Sequence, residues 1–305
     1  MRIQFENVDF QSRSGPNGFG LKLARSLTQM GHSIVGENPD VRLTFINGSN
    51  TFRPNVLRLD GIYFNSEQDW QRMNAPIRAS YDFANAVIVQ SEFNKRLTEK
   101  YFGVRDGIHV IHNGTDTSLI EKIPAAVLGG GIPRENVWMC ASAWRPHKRL
   151  SDNIRLFLEL SGKDDVLLVA GKDAQNHTGS DLNDSRVKFI GDLNWESMIA
   201  CMKASSKFIH LSWLDHCPNV VVDANACGCI VYCSSSGGTR EIAGKGAVVI
   251  EEEEWDMIPV TLYNPPKMNF SSSSINTQDF DVKIKSVCLK YNSVLFSVIN
   301  LQNIL

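Results

Sequence analysis

The chain has 305 residues, against a common domain size of roughly 100–200, so one large or two medium domains are expected and a disulfide-stapled miniprotein is excluded. Hydrophobic residues make up 43%, and 31 Lys+Arg nearly balance 33 Asp+Glu for a formal charge of −2, which gives no general pull toward nucleic acid or an anionic membrane. No apolar run approaches the roughly 20 residues needed to cross a bilayer, and Met1–Glu6 reads as a strand, not the apolar core of a signal peptide. The expectation is a soluble, cytosolic protein with no nucleic-acid partner and no transmembrane segment, in which any anionic ligand is held locally.

The first half alternates short apolar runs with amphipathic segments: strand 1–9, helix 19–30, strands 41–46 and 56–59, helix 67–81, strand 86–89, helix 92–101 and strand 108–111. The stretch Pro124 to Pro133, with Gly129-Gly130-Gly131 inside it, breaks the alternation and is the expected domain boundary. The pattern then restarts with strand 137–143, helix 149–160, strands 166–170 and 187–190, helix 195–204, strand 208–211, helix 219–226, strand 230–233, a short helix 239–242 and strand 247–250. Such alternation implies parallel sheets with helices on both faces. The expected fold class is therefore α/β, with two doubly wound halves in series. The Glu251 to Glu254 run reads as a solvated helix start, and Ser271 to Ser274 as a low-complexity loop. Ile284, Val287, Tyr291, Leu295 and Val298 mark one face of a final helix.

Four segments are candidates for chemistry. Strand 1–9 leads into Ser14-Gly15-Pro16-Asn17-Gly18-Phe19-Gly20 and a helix, where backbone N–H groups meet a phosphate or sugar or simply form a turn. The glycines at 15, 18 and 20 do not fit the dinucleotide pattern G-x-G-x-x-G, and no P-loop Gly-Lys-Ser/Thr follows. Arg145 and Lys148 stand just past the first strand of the second half, at the edge where open α/β sheets bind ligands. Two cations three residues apart suit a diphosphate, and a solvated basic turn is the alternative. Asp215 and Asp223 lie eight residues apart, one in a loop and one on the helix opened by Pro218 and Asn219. They suit vicinal sugar hydroxyls, with capping as the alternative. Ser234-Ser235-Ser236-Gly237-Gly238-Thr239 follows a strand and is a second place for amide–phosphate contact or an ordinary turn.

The seven cysteines are odd in number and sit among small apolar residues, as buried thiols do. Cys217, Cys227, Cys229 and Cys233 with His216 are numerous enough for zinc. No C-x-x-C pair exists, and the spacing fits no common zinc pattern, so no metal site is expected.

In order, these segments resemble the retaining glycosyltransferases of family 4, from the Gly15 loop to about Ile250. The most specific parts are Val87-Ile88-Val89-Gln90-Ser91, the turn Val110-Ile111-His112-Asn113-Gly114-Thr115-Asp116, Arg145 with Lys148, and the stretch from Asp215 to Gly228. The resemblance implies the GT-B architecture, two Rossmann-like domains facing a cleft: 1–128 on the acceptor side, 132–270 binding the nucleotide-sugar donor, and a helix 279–305 packing back toward the first domain. It implies that Arg145 and Lys148 grip the donor diphosphate and stabilise charge on the leaving group. It places Asp223 on the ribose and Asp215 on the transferred sugar. Backbone around Gly15, Gly18, Asn219, Val220 and Val221 would contact the donor, with no metal and no cofactor beyond the nucleoside-diphosphate sugar as co-substrate. The acceptor is a glycan or other hydroxyl-bearing molecule. The family carries glutamates where this chain has Asp215 and Asp223, each shorter by one methylene. Many members also have a histidine near Arg58-Leu59-Asp60-Gly61, and Asp60 is the candidate there for the donor sugar or acceptor hydroxyl, with a strand-end cap as the alternative. These departures motivate a second reading, a catalytically silent GT-B protein that binds a nucleotide or glycan. An NAD(P) oxidoreductase is disfavoured by the missing fingerprint.

Overall fold

A computed structural model describes residues 1–12, 14–177 and 183–302; the end of the final helix expected at 279–305 lies partly outside them. In chain order the elements are β1 (Arg2–Glu6), α1 (Gly15–Gln29), β2 (Ser33–Ile34), β3 (Val41–Phe45), β4 (Asn55–Leu59), α2 (Trp70–Phe83), β5 (Ala86–Val89), α3 (Glu92–Phe102), β6 (Ile108–Val110) and α4 (Thr117–Lys122). They continue with β7 (Val137–Ala141), α5 (Leu150–Leu160), β8 (Val166–Ala170), β9 (Val187–Gly191), α6 (Trp195–Lys203), β10 (Lys207–His210), α7 (Asn219–Ala226), β11 (Ile230–Ser234), α8 (Thr239–Ile242), β12 (Val248–Ile250), β13 (Ser273–Ile275) and α9 (Ile284–Gln302). The chain divides into two compact units. One holds Met1–Asp116, Asp256–Val260 and the chain from Lys283 onward, the other Thr117–Trp255 and Thr261–Val282. Among the described residues no helix is long and apolar enough to cross a membrane.

The first unit is a sheet in the order β2-β1-β3-β4-β5-β6, parallel throughout. All residues of β4 and β5 are buried, as expected of parallel strands covered on both faces. Phe19, Leu23 and Leu27 of α1 join Val287, Tyr291 and Leu295 of α9 over one face. The turn after β6 is the seat of α9. Ile284 N–H donates to Thr115 O at 2.9 Å, and a Cβ on Gly114 would stand 3.0 Å from Ile284 Cα and 2.8 Å from Val287 Cγ2. Only glycine lets the helix approach that closely.

The second unit is a sheet in the order β13-β12-β11-β10-β7-β8-β9, parallel except for the β12–β13 pair. Val221, Val222 and Ile242 cover one face with Met139 and Phe208, whereas Ile154 and Phe157 of α5 cover the other with Trp138 and Cys140. This is the doubly wound arrangement that the alternation implies.

Three local expectations are corrected. The glycine-rich segment is not a loop before a helix: α1 begins at Gly15, with Pro16 in its first turn and Ser14 as its N-cap, because proline's fixed φ is already helical. The Glu251 to Glu254 run begins no helix; its first two carboxylates are drawn onto Arg240, Ser274 and Arg149. The serine run yields β13, which pairs with β12 through Ser273 and Ser274, since an edge strand is fixed by its backbone ladder and not by apolar side chains. The first passage between units falls between residues 116 and 117, ahead of the Pro124–Pro133 stretch, and Ile120 of α4 is buried in the second unit's core.

Replacing Gly114 by Ala should lower the stability of the first unit by about 2 kcal/mol, a typical overpacking cost, read as an earlier midpoint in urea unfolding. A change below about 0.5 kcal/mol, the usual scale of a neutral surface substitution, would show that α9 yields freely and that Gly114 is not its seat.

Candidate functional site

The strand order of the second unit reverses at β7, which has β8 on one side and β10 on the other. Open α/β sheets offer their ligand crevice at the carboxyl ends of such strands. There the chain after β7 makes a tight Pro146–Lys148 turn, and the chain after β10 makes a loop to α7. Trp213 N–H donates to His147 O at 2.8 Å and joins the two. Lys148 Nζ lies 2.5 Å from Asp215 Oδ2, and His210 Nε2, from the last residue of β10, lies 3.2 Å from the same oxygen. Burial pushes the Asp215 carboxyl up, yet Lys148 and the His210 hydrogen bond outweigh it and hold the group well below the usual carboxylate range.

A second ion pair, built on a buried arginine, holds this edge. Arg149 sits in the left-handed region at φ 52°, a conformation that costs a non-glycine residue about 1–2 kcal/mol. It is retained because its guanidinium is clamped: Nη1 and Nη2 each stand 2.8 Å from an oxygen of Glu252, and Nη2 also donates to Pro266 O at 2.9 Å. Glu252 in turn accepts from Ser234 Oγ. With that proton on Glu252, Ser234 Oγ accepts from Ser236 Oγ at 2.8 Å, and Ser236 Oγ accepts from Leu214 N–H at 3.3 Å. Neither Arg149 nor Glu252 is marked by the sequence, where the acidic run 251–254 reads as a solvated helix start.

The expected donor residues are distributed unevenly along this edge. Arg145 is exposed, in extended backbone just before the turn. Asn219 and Val220 are half-buried at the start of α7. Val221 is not available as a backbone contact: its N–H donates to Pro218 O at 3.0 Å and its side chain is in the core. Asp223 is buried and accepts from Trp195 Nε1 at 3.0 Å, so one of its oxygens is tied to α6. Likewise the Ser234–Thr239 segment is sewn down, since Gly238 N–H donates to Asp215 O at 2.7 Å. Gly237 has φ 81° and a Cβ there would meet Asp215 O at 2.4 Å, so a side chain would push the Asp215 loop away.

Asp60, Gly15 and Gly18 belong to the first unit. Asp60 closes a ring of side chains: Arg58 Nη1 bonds Asp60 Oδ2, Gln90 Nε2 donates to Asp60 Oδ1 at 2.8 Å, Asn113 Nδ2 donates to Gln90 Oε1 at 3.0 Å, and Arg58 Nη2 donates to Asn113 Oδ1 at 2.8 Å. Arg58 is fully buried between the rings of Phe19 and Phe45 and donates through Nε to Tyr291 Oη of α9 at 3.0 Å. Burial pushes the Asp60 carboxyl up against the pull of Arg58. Of the ring's members Asp60 is the one whose side chain keeps some exposure, 14%. At the strand end Asp60 thus holds Arg58 and Gln90 with its two oxygens while part of its side chain remains exposed. Gly18 lies inside α1 with its N–H donating to Ser14 O at 2.8 Å. Gly15 opens that helix at the exposed surface.

Among the described residues, no three His, Cys, Asp or Glu side chains gather as a metal-holding group. Burial pushes the Cys227, Cys229 and Cys233 thiols up to about 12, which makes them inert packing groups. Glu252→Gln should destabilise the second unit by about 3 kcal/mol, because it leaves a buried guanidinium without its countercharge. A loss under about 1 kcal/mol in chemical unfolding, the range of an exposed pair, would show that Arg149 does not need it.

Residues 130–259 match the family Glycosyl transferases group 1. A search of curated protein sequences finds no match. Among solved structures, HepE from Anabaena in complex with UDP-glucose is similar with a TM-score of 0.63 at 14% identity, over 100% of both chains. Sucrose-phosphate synthase from Thermosynechococcus elongatus gives 0.64 at 13% identity, over 99% of this chain and 96% of that one. AviGT4, a glycosyltransferase involved in avilamycin A biosynthesis, gives 0.63 at 13%, over 98% of each. The fold is GT-B, and the stretch that matches Glycosyl transferases group 1 lies within its second unit up to Trp255 and includes Arg145, Lys148, Asp215 and Asp223.

Proposed function

We propose that the protein is a nucleotide-sugar-dependent glycosyltransferase that moves a hexose from a nucleoside diphosphate to an acceptor hydroxyl with retention of configuration. The second unit would bind the donor and the first would serve the acceptor. The observation that carries this reading is the placement of Lys148 and Asp215 together at the switch-point edge of the domain that matches the family. Arg145 and Lys148 would bind the diphosphate, the guanidinium in a fork and the ammonium as a point charge. They would stabilise negative charge as the glycosidic bond breaks, which is the work a divalent ion does in metal-dependent transfer. Arg145 is exposed and stands in extended backbone just before the Pro146–Lys148 turn.

Asp215 would turn to the sugar hydroxyls once Lys148 moves to phosphate. Asp223, held by Trp195, would accept from the ribose hydroxyls. The amides of Asn219 and Val220 would face the donor at the start of α7, as would Gly15 at the start of α1. Asp60 would accept a hydrogen bond from the donor sugar or the acceptor hydroxyl through its exposed edge. A front-face route needs no carboxylate nucleophile: the departing phosphate oxygen takes the acceptor's proton as the new bond forms.

The test is a thermal-shift screen of UDP, GDP, ADP, TDP and CDP. A ligand at 100 times its Kd adds roughly 2.7 kcal/mol, and one diphosphate should raise Tm while Arg145→Ala or Lys148→Ala abolishes the shift. With the matching nucleotide sugar, Arg145→Ala should lower turnover at least about 100-fold, the scale of losing one transition-state charge donor, and leave the fold intact. Turnover that survives Arg145→Ala would remove its assigned role. Donor binding without sugar loss, with or without acceptors, would select the silent binding module instead.

A further inference from the structure

We infer that His210 is the positioning residue for Asp215 and takes up a proton when a nucleotide sugar draws Lys148 away from that carboxylate. The inference rests on the donor-binding reading above and extends it to a residue that the sequence motifs did not mark.

Lys148 Nζ and His210 Nε2 share one oxygen of Asp215, at 2.5 Å and 3.2 Å. The ammonium is the pair's only full positive charge in this state, since burial and then Lys148 keep the imidazole neutral, the pull of Asp215 notwithstanding. A diphosphate that claims the ammonium leaves a buried carboxylate with one neutral donor and adds further negative charge beside it. Uncompensated charge in such a place is expensive, and the nearest group able to supply a compensating one is the ring already on the oxygen. Protonated on both nitrogens, it still donates through Nε2 to Asp215, now as a charge-assisted hydrogen bond. The proton comes from solvent.

The other groups around His210 cannot do this. His147 and His216 are each pushed down to about 4, by burial first, and stay neutral near pH 7. Arg149 is committed to Glu252, with Asp152 4.0 Å from its Nε. The strand partner of His210 on β11 is Cys233, whose thiol burial holds at about 12. Asp215 and Lys148 are thus the charges that set the state of His210. Losing Lys148 as a like charge while keeping Asp215 raises its affinity for a proton. The sign follows: binding raises the His210 pKa, so donor affinity is greatest at low pH. It is lost as pH rises through the bound-state value, with Kd increasing up to about tenfold per pH unit in that window.

The experiment is calorimetric titration of the glucose esters of UDP, GDP, ADP, TDP and CDP near pH 7, in buffers of different ionisation enthalpy. Nucleotide sugars are used because the terminal phosphate of a free diphosphate itself titrates near pH 6. The dependence of binding enthalpy on buffer should show uptake approaching one proton per chain for the ester that binds. His210→Gln keeps a side-chain N–H donor but cannot be charged, and should bind with no uptake and a flat pH profile. Asp215→Asn, which removes the carboxylate that needs compensation, should likewise abolish uptake, and it serves if His210→Gln fails to fold. Binding by the unsubstituted protein without proton uptake overturns the inference and leaves the glycosyltransferase reading standing, as does uptake that persists in either variant. No binding by any of the five esters overturns the donor-binding reading and this inference with it.

Discussion

The bidentate pair between Arg149 and Glu252 is the interaction on which the ligand edge of the second unit depends. It fixes a left-handed residue directly after Lys148, and through Ser234 and Ser236 it reaches the backbone of Leu214, next to Asp215. One enclosed guanidinium therefore sets both the turn that presents the cation and the loop that presents the carboxylate. Charges this deeply buried are tolerated only where geometry is good and the remaining donors are satisfied, and the carbonyl of Pro266 supplies that extra acceptor.

The first unit solves the same problem in another way. Arg58 is inside the sheet's covering layer, flanked by two phenylalanine rings, and its charge is answered by Asp60 at the strand end. Gln90 and Asn113 close the ring, and Tyr291 ties it to the last helix. The turn that carries Asn113 also carries Gly114, which admits α9. Positioning of Asp60 and docking of the C-terminal helix are thus coupled, and among the described residues the ionised partner of the arginine is Asp60.

In both units the functional candidates sit where parallel strands end, because a parallel sheet buries its faces and leaves only its carboxyl edge for polar chemistry. The shorter aspartate at position 215 has a consequence there. It lies on Lys148 and His210 instead of reaching outward, so the cation proposed for the diphosphate is neutralised until a stronger anion competes. The exposed Arg145 is then the first cation a donor would meet.

The sequence by itself determined the alternating elements, the two parallel sheets, and the strand ends carrying Asp60, Arg145, Lys148 and Asp215, because those follow from periodicity and turn chemistry within about a dozen residues. It left the partners undecided. Arg149 and Glu252 are 103 residues apart, Arg58 and Tyr291 are 233 apart, and Lys148 and Asp215 are 67 apart. No local pattern marks such pairs, and an acidic run reads as a solvated face until topology brings a buried arginine beneath it. The amides of Gly18 and Val221 close onto Ser14 and Pro218, and a glycine-rich or helix-opening segment is the same string whether its amides do so or face solvent. Only the tertiary structure decided which polar groups are spent on the fold and which remain for a ligand, since that depends on what each strand end meets across the sheet.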